Sequence, residues 1–229
     1  MLFKRYAIYF TPTPGPLAEF GARWLGWDAT TGQVPPPPDI RELADIRQEI
    51  TQIPSKYGFH ATIKPPFRLA EGQTESALCA ALETFCASFA PARLERLSLQ
   101  RLGRFLALVP EEDTSALNKL AAHTVQDLDP FRAPLTETEI AKRRAGNLSP
   151  EQDALLLRWG YPYVMEAFRF HMTLTGKIPK AQAQSVQSIL ESHVMPLVSR
   201  PFDIDALSLV GEDAKGRFHV IQRLMLTGK

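Results

Sequence analysis

Apolar and polar positions alternate in "RYAIYFTP", residues 5–12, and this period of two, rich in aromatic and branched side chains, predicts a first strand. "PLAEFGARWLGWDA" then repeats its apolar positions at helical spacing, and "GQVPPPPD" is a proline-stiffened loop. A further helix is expected over "DIRELADIRQEI", then a strand at "YGFHATIKPPF", a helix over 74–89, strands within 93–109 and a helix near 114–128. "TETEIAKRRAGNLSPEQDALLLRWGYPY" predicts helices broken at Gly146-Asn147 with a capping signature in "SPEQ", and it is a candidate insertion or lid. The tail supplies a strand at "FRFHMTLTGKI", a helix over 180–194 and two closing strands, "FDIDALSLV" and "RFHVIQRLML". Strands alternate with helices but also run as adjacent pairs, so the expected class is α+β rather than a doubly wound parallel sheet.

Two of these strands share a centre. Both read Phe-His-x-Thr followed by a branched aliphatic residue, with His60 in one and His171 in the other, one motif in each half of the chain. In an extended strand successive side chains point to opposite faces. Phe59, Ala61 and Ile63 then fall on one face, with His60, Thr62 and Lys64 on the other. The second motif divides likewise: Phe170, Met172 and Leu174 are apolar, opposite Arg169, His171, Thr173 and Thr175. Each strand buries one face and offers a histidine, a hydroxyl and a cation on the other. A lone histidine on a strand is ordinarily structural, and a single His-x-Thr match arises easily by chance; two matches with the same flanks do not.

Charge adds a second, independent signal. The 229 residues carry 26 basic and 25 acidic side chains, so a broad basic face for extended nucleic acid is not expected. Yet the longest stretches without Asp or Glu, Ile50–Ala70 and Ala167–Leu190, each contain one motif. Lys56, Lys64 and Arg68 lie in the first, and Arg169, Lys177 and Lys180 in the second. Local positive potential beside paired His and Thr favours an anionic ligand, most simply a phosphate. It disfavours a hard metal, which would want carboxylates. No metal and no cofactor is therefore expected. Cys79 and Cys86 read as buried thiols on a helix, and no apolar run suits a signal peptide or a membrane span, so a cytoplasmic setting is expected.

With "RYAIYFTP", "YGFHATIKPPF" and "RFHMTLTGKI" in place, the chain resembles the two-histidine (2H) phosphoesterase superfamily, which includes 2′,5′-RNA ligase-like proteins and cyclic phosphodiesterases. It is similar in particular to a bacterial branch associated with phosphonate-utilisation operons. The resemblance covers essentially the whole chain and implies one bilobal domain over 1–229, its lobes dividing within 110–160. It implies pseudo-two-fold related antiparallel sheets with helices, and a central cleft between the motif strands. Carried over by position, the catalytic residues are His60, Thr62, His171 and Thr173.

The chemistry these residues offer is general acid and base catalysis. One neutral imidazole takes a proton from the attacking water, and a protonated one delivers a proton to the leaving oxygen. The threonines donate to the non-bridging oxygens. Lys64, Arg169, Tyr57 and Thr175 are the candidate substrate contacts; Tyr57 also suits a packing role. His123, His193 and His219 are poor candidates, lying in a helix, at a helix end and in a late strand. The expected partner is a small phosphorylated substrate, with no membrane and a monomer slightly favoured. An RNA-end-processing or RNA-binding protein using the same cleft stays open, as does a metallohydrolase with His60 and His171 as ligands.

Overall fold

The computed structural model describes residues 2–228. The first strand, β1 (Arg5–Phe10), leads into α1 (Pro16–Leu25), and a short 3-10 turn opens α2 (Ala44–Ser55). The first motif strand is β2 (Ala61–Phe67), followed by α3 (Glu75–Ser88), β3 (Ala92–Leu94), β4 (Leu97–Leu102), β5 (Phe105–Pro110) and α4 (Ser115–Asp127). Then come α5 (Glu137–Arg144), α6 (Pro150–Trp159), the two-residue β6 (Met172–Thr173), α7 (Ala183–Val194), β7 (Phe202–Ile204), β8 (Ala206–Glu212) and β9 (Phe218–Met225). The fold is α+β and its strand pairs are antiparallel.

A seven-stranded sheet runs in the order β4-β5-β6-β2-β1-β8-β9. Its middle is the junction of the two motif strands, which meet at the single ladder pair Ala61↔Met172. From that pair the halves mirror each other: Ala61 is flanked by Phe10 of β1, and Met172 by Leu108 of β5. The stretch "FDIDALSLV" is not one strand. It divides at Asp205, giving β7 to a small second sheet with β3 and β8 to the main sheet. Strand alternation continues across the break, so the sequence pattern alone does not mark a change of sheet.

One face of the main sheet makes the core. Tyr6, Ile8 and Phe10 of β1 join Ala61, Ile63 and Phe67 of β2 and Met172 of β6 in it. The other face of β1 carries Ala7 and Tyr9, which form a small cluster with Val210 and Phe218. This second face is where the motif side chains stand. Behind the motifs, α1 is fitted closely. A Cβ on Gly21 would lie 2.1 Å from the ring of Phe59, so the helix approaches the residue before His60 only because glycine is there. Trp24, wholly buried, donates its indole N–H to the carbonyl of Leu174 at 2.7 Å, just past the second motif. The predicted break at Gly146-Asn147 is present, Asn147 adopting φ 53°. Both α5 and α6 carry full capping boxes, Thr136 with Glu139 and Ser149 with Gln152, as "SPEQ" predicts for the latter. No described helix is long and apolar enough to cross a membrane.

Candidate active site

His60, Thr62 and Thr173 line a cleft of ≈ 390 Å³ on the open face of the sheet. The register explains why they converge. Ala61↔Met172 is the pair that joins the two strands, and the residues flanking it, His60 and Thr62 on one side and His171 and Thr173 on the other, point to the opposite face from Ala61 and Met172. The two rings are fixed in the same way. His60 Nδ1 lies 3.0 Å from the Gly58 carbonyl, and His171 Nδ1 lies 2.8 Å from the Arg169 carbonyl, the residue two positions back in each case. A carbonyl only accepts, so each Nδ1 carries a proton and each Nε2 is left for other partners. His60 Nε2 is 3.1 Å from the Thr62 hydroxyl, which donates to it when the ring is neutral.

Their surroundings differ. The His60 ring stacks on Tyr9 with centroids 3.8 Å apart, on a floor closed beneath by the sheet. Burial pushes its pKa down to about 4; the Gly58 carbonyl opposes this and the positive charge of His171 reinforces it. His60 is thus neutral at physiological pH. His171 is not itself one of the residues lining the cleft; its ring lies 5.9 Å from that of Phe105, which is.

The other expected contacts fare differently. Tyr57 lines the cleft, stacked on Phe218 at 5.2 Å, so it both packs and faces the site. Lys64 does not reach it. The ladder slips between Tyr9↔Thr62 and Ile8↔Lys64, and this bulge turns Lys64 onto the core side of the sheet with Ile63. There it is 1% exposed, donates to the Val125 carbonyl at 3.0 Å and lies 3.5 Å from Asp129, its pKa pushed down to about 8 by burial. Simple alternation misplaced it because a bulge adds a residue without a sequence mark. Arg169 is exposed and folds back, donating to the carbonyls of Glu166 and Phe168. Thr175 reaches the cleft wall, but its hydroxyl is committed to backbone: it accepts from the Leu106 N–H and donates to the Gly176 carbonyl. His123, His193 and His219 stand elsewhere; His219 pairs with Asp213 at 3.0 Å.

Several cleft residues escaped the sequence reading: Arg5 and Tyr9 from β1, Arg143 from α5 and Tyr161 just beyond α6. The first two had a signal, since Arg5, Ala7 and Tyr9 share one face of a strand that begins the chain. The last two had none, because helical periodicity does not say where a hairpin docks. None of the described residues lining the cleft is acidic, and no group of three or more metal-ligating side chains occurs among the described residues.

A protein named ribose 1,5-bisphosphate phosphokinase PhnN, from Janthinobacterium sp. (strain Marseille), is 39% identical over 232 residues, 98% of this chain and 51% of that protein. Another of the same name, from Laribacter hongkongensis (strain HLHK9), is 34% identical over 222 residues, 96% of this chain and again 51% of the relative. The chain therefore spans about half the length of the curated relatives it matches. The solved structure of TT0787 of Thermus thermophilus aligns with a TM-score of 0.47 at 15% identity, over 98% of this chain and 99% of that one. A family model described as a protein of unknown function matches residues 62–219, from the first motif threonine through the second motif to β9. By that match the chain belongs to the DUF1045 family.

Proposed function

We propose that this protein is a metal-independent phosphodiesterase that opens a small cyclic phosphate by histidine acid–base catalysis. The observation that carries the proposal is the pair of imidazoles beside one strand pair, each held by a carbonyl two residues back, with Thr62 and Thr173 lining the cleft next to them. His60 is the base. Its desolvated ring is neutral, and Nε2 takes a proton from water as the water oxygen bonds to phosphorus. His171 is the acid; it gives a proton to the sugar oxygen as the P–O bond breaks, leaving a phosphomonoester. Thr62 and Thr173 turn their hydroxyls to the non-bridging oxygens, and the turn of Thr62 also frees His60 Nε2 for the water.

A cleft of ≈ 390 Å³ suits a sugar phosphate or nucleotide-sized ligand, not a polymer track. The curated relatives are named for ribose 1,5-bisphosphate, which supports a phosphorylated ribose as the substrate class. The resemblance to a bacterial branch associated with phosphonate-utilisation operons supports a place in phosphonate metabolism.

The assignment of roles has a pH signature. kcat/KM reports the free enzyme's groups, and its acid limb falls as the base becomes protonated. With His60 as base, that limb has its midpoint near 4, well below the 6.5 of an unperturbed histidine. A pH–rate profile with the midpoint at 6.5 or above would assign the base elsewhere.

A further inference from the structure

Several polar groups on the cleft lining have no part in the mechanism above. Tyr9 is only 1% exposed, and its hydroxyl has no hydrogen-bond partner among the described residues. Buried hydroxyls left unmet are rare enough to need a reason. Arg5 shares its strand face, and Tyr57 and Tyr161 line the adjoining wall. Arg143 closes that wall from α5, its guanidinium 4.7 Å from the centre of the Tyr161 ring. Arg5 is neutralised by a two-point bond to Glu212, at 2.5 and 2.9 Å, and Arg144 by one to Asp153. Arg143 has no such carboxylate partner among the described residues.

The helix that carries it is fastened. The Arg144–Asp153 pair ties α5 to α6, and Arg68, just beyond β2, holds Glu139 of α5 at 3.1 Å. An unpaired guanidinium is therefore held at the cleft edge rather than left on a loose loop. Two kinds of occupant could use this corner, a stacked ring or an anion. The aromatic surface is partly taken already, since Arg143 covers one face of Tyr161 and Tyr57 is stacked on Phe218 with the Lys56 ammonium 5.1 Å from its ring centre. A guanidinium edge and an unmet hydroxyl are donors, and donors select an anion.

We infer that this corner is a second anion subsite, so that the substrate carries a phosphomonoester held by Arg143 and the Tyr9 hydroxyl besides the diester at the histidines. This deepens the proposed function and rests on it for the diester, but binding of the monoester does not require catalysis. The segment 137–159 then has a purpose, the selection of a doubly phosphorylated substrate.

The test is calorimetric binding of D-ribose 5-phosphate at fixed salt, with D-ribose as control, to the full chain and to the His60→Ala/His171→Ala double variant. Both proteins should bind the phosphate with similar Kd and bind ribose far more weakly. Adding Arg143→Ala should weaken binding roughly ten- to hundred-fold, and Tyr9→Phe, which keeps the ring stack, about three- to tenfold. An unchanged Kd in Arg143→Ala, loss of binding with the histidines alone, or no binding to the full chain would overturn the subsite while leaving diester hydrolysis standing. Arg143-dependent binding by a protein that opens no cyclic phosphate would keep the subsite and end the hydrolase reading instead.

Discussion

Alanine at His60 or at His171 is expected to lower turnover by about 10²–10⁴, the usual worth of one positioned acid or base. If the two act on one phosphate as proposed, the double variant should lose much less than the product of the single losses. Thr62→Val and Thr173→Val should cost less, each removing one proposed donor to a phosphoryl oxygen while keeping the branched shape. Steady-state kinetics on a small cyclic phosphate, with circular dichroism to show that each variant is folded, measures all of these. A fully active His171→Ala would sink the acid role.

Trp24→Ala should destabilise the fold by about 3–5 kcal/mol, the range for deleting a large buried ring. The ring is wholly buried, and its N–H satisfies the carbonyl of Leu174. Loss of that donor leaves a main-chain acceptor unmet beside β6, whose ladder is only two residues long. Urea denaturation reads the effect as a lower midpoint at an unchanged slope. A loss below about 1 kcal/mol would mean that the second motif is held by its sheet neighbours and not by α1.

The strands and helices near both motifs were legible because their signals are local. Phe59, Ala61 and Ile63 alternate with His60 and Thr62, and the buried side of that alternation is the buried side of the sheet. Acid-free windows around both histidines anticipated a cleft without acidic lining. What failed was everything set by pairing. Lys64 follows the alternation on paper, but the bulge opposite Ile8 turns it to the core. Asp205 marks a change of sheet that no residue type announces. Arg143 and Tyr161 enter the cleft only because a helical hairpin folds back over β2, a contact of long sequence range. Arg169 and Thr175 were expected on the second motif strand, but β6 spans only Met172–Thr173, and nearby main-chain carbonyls claim the guanidinium of one and the hydroxyl of the other.

Whether two histidines open a phosphodiester without a metal can be read by phosphorus NMR of chelator-treated, dialysed enzyme with a panel of small ribose cyclic phosphates. A cyclic resonance should be converted to a phosphomonoester at an undiminished rate, and either single His→Ala variant should abolish most of the conversion. Loss of conversion on chelation with recovery on adding zinc or manganese would contradict metal-free hydrolysis, and would make His60 and His171 metal ligands instead of acid and base.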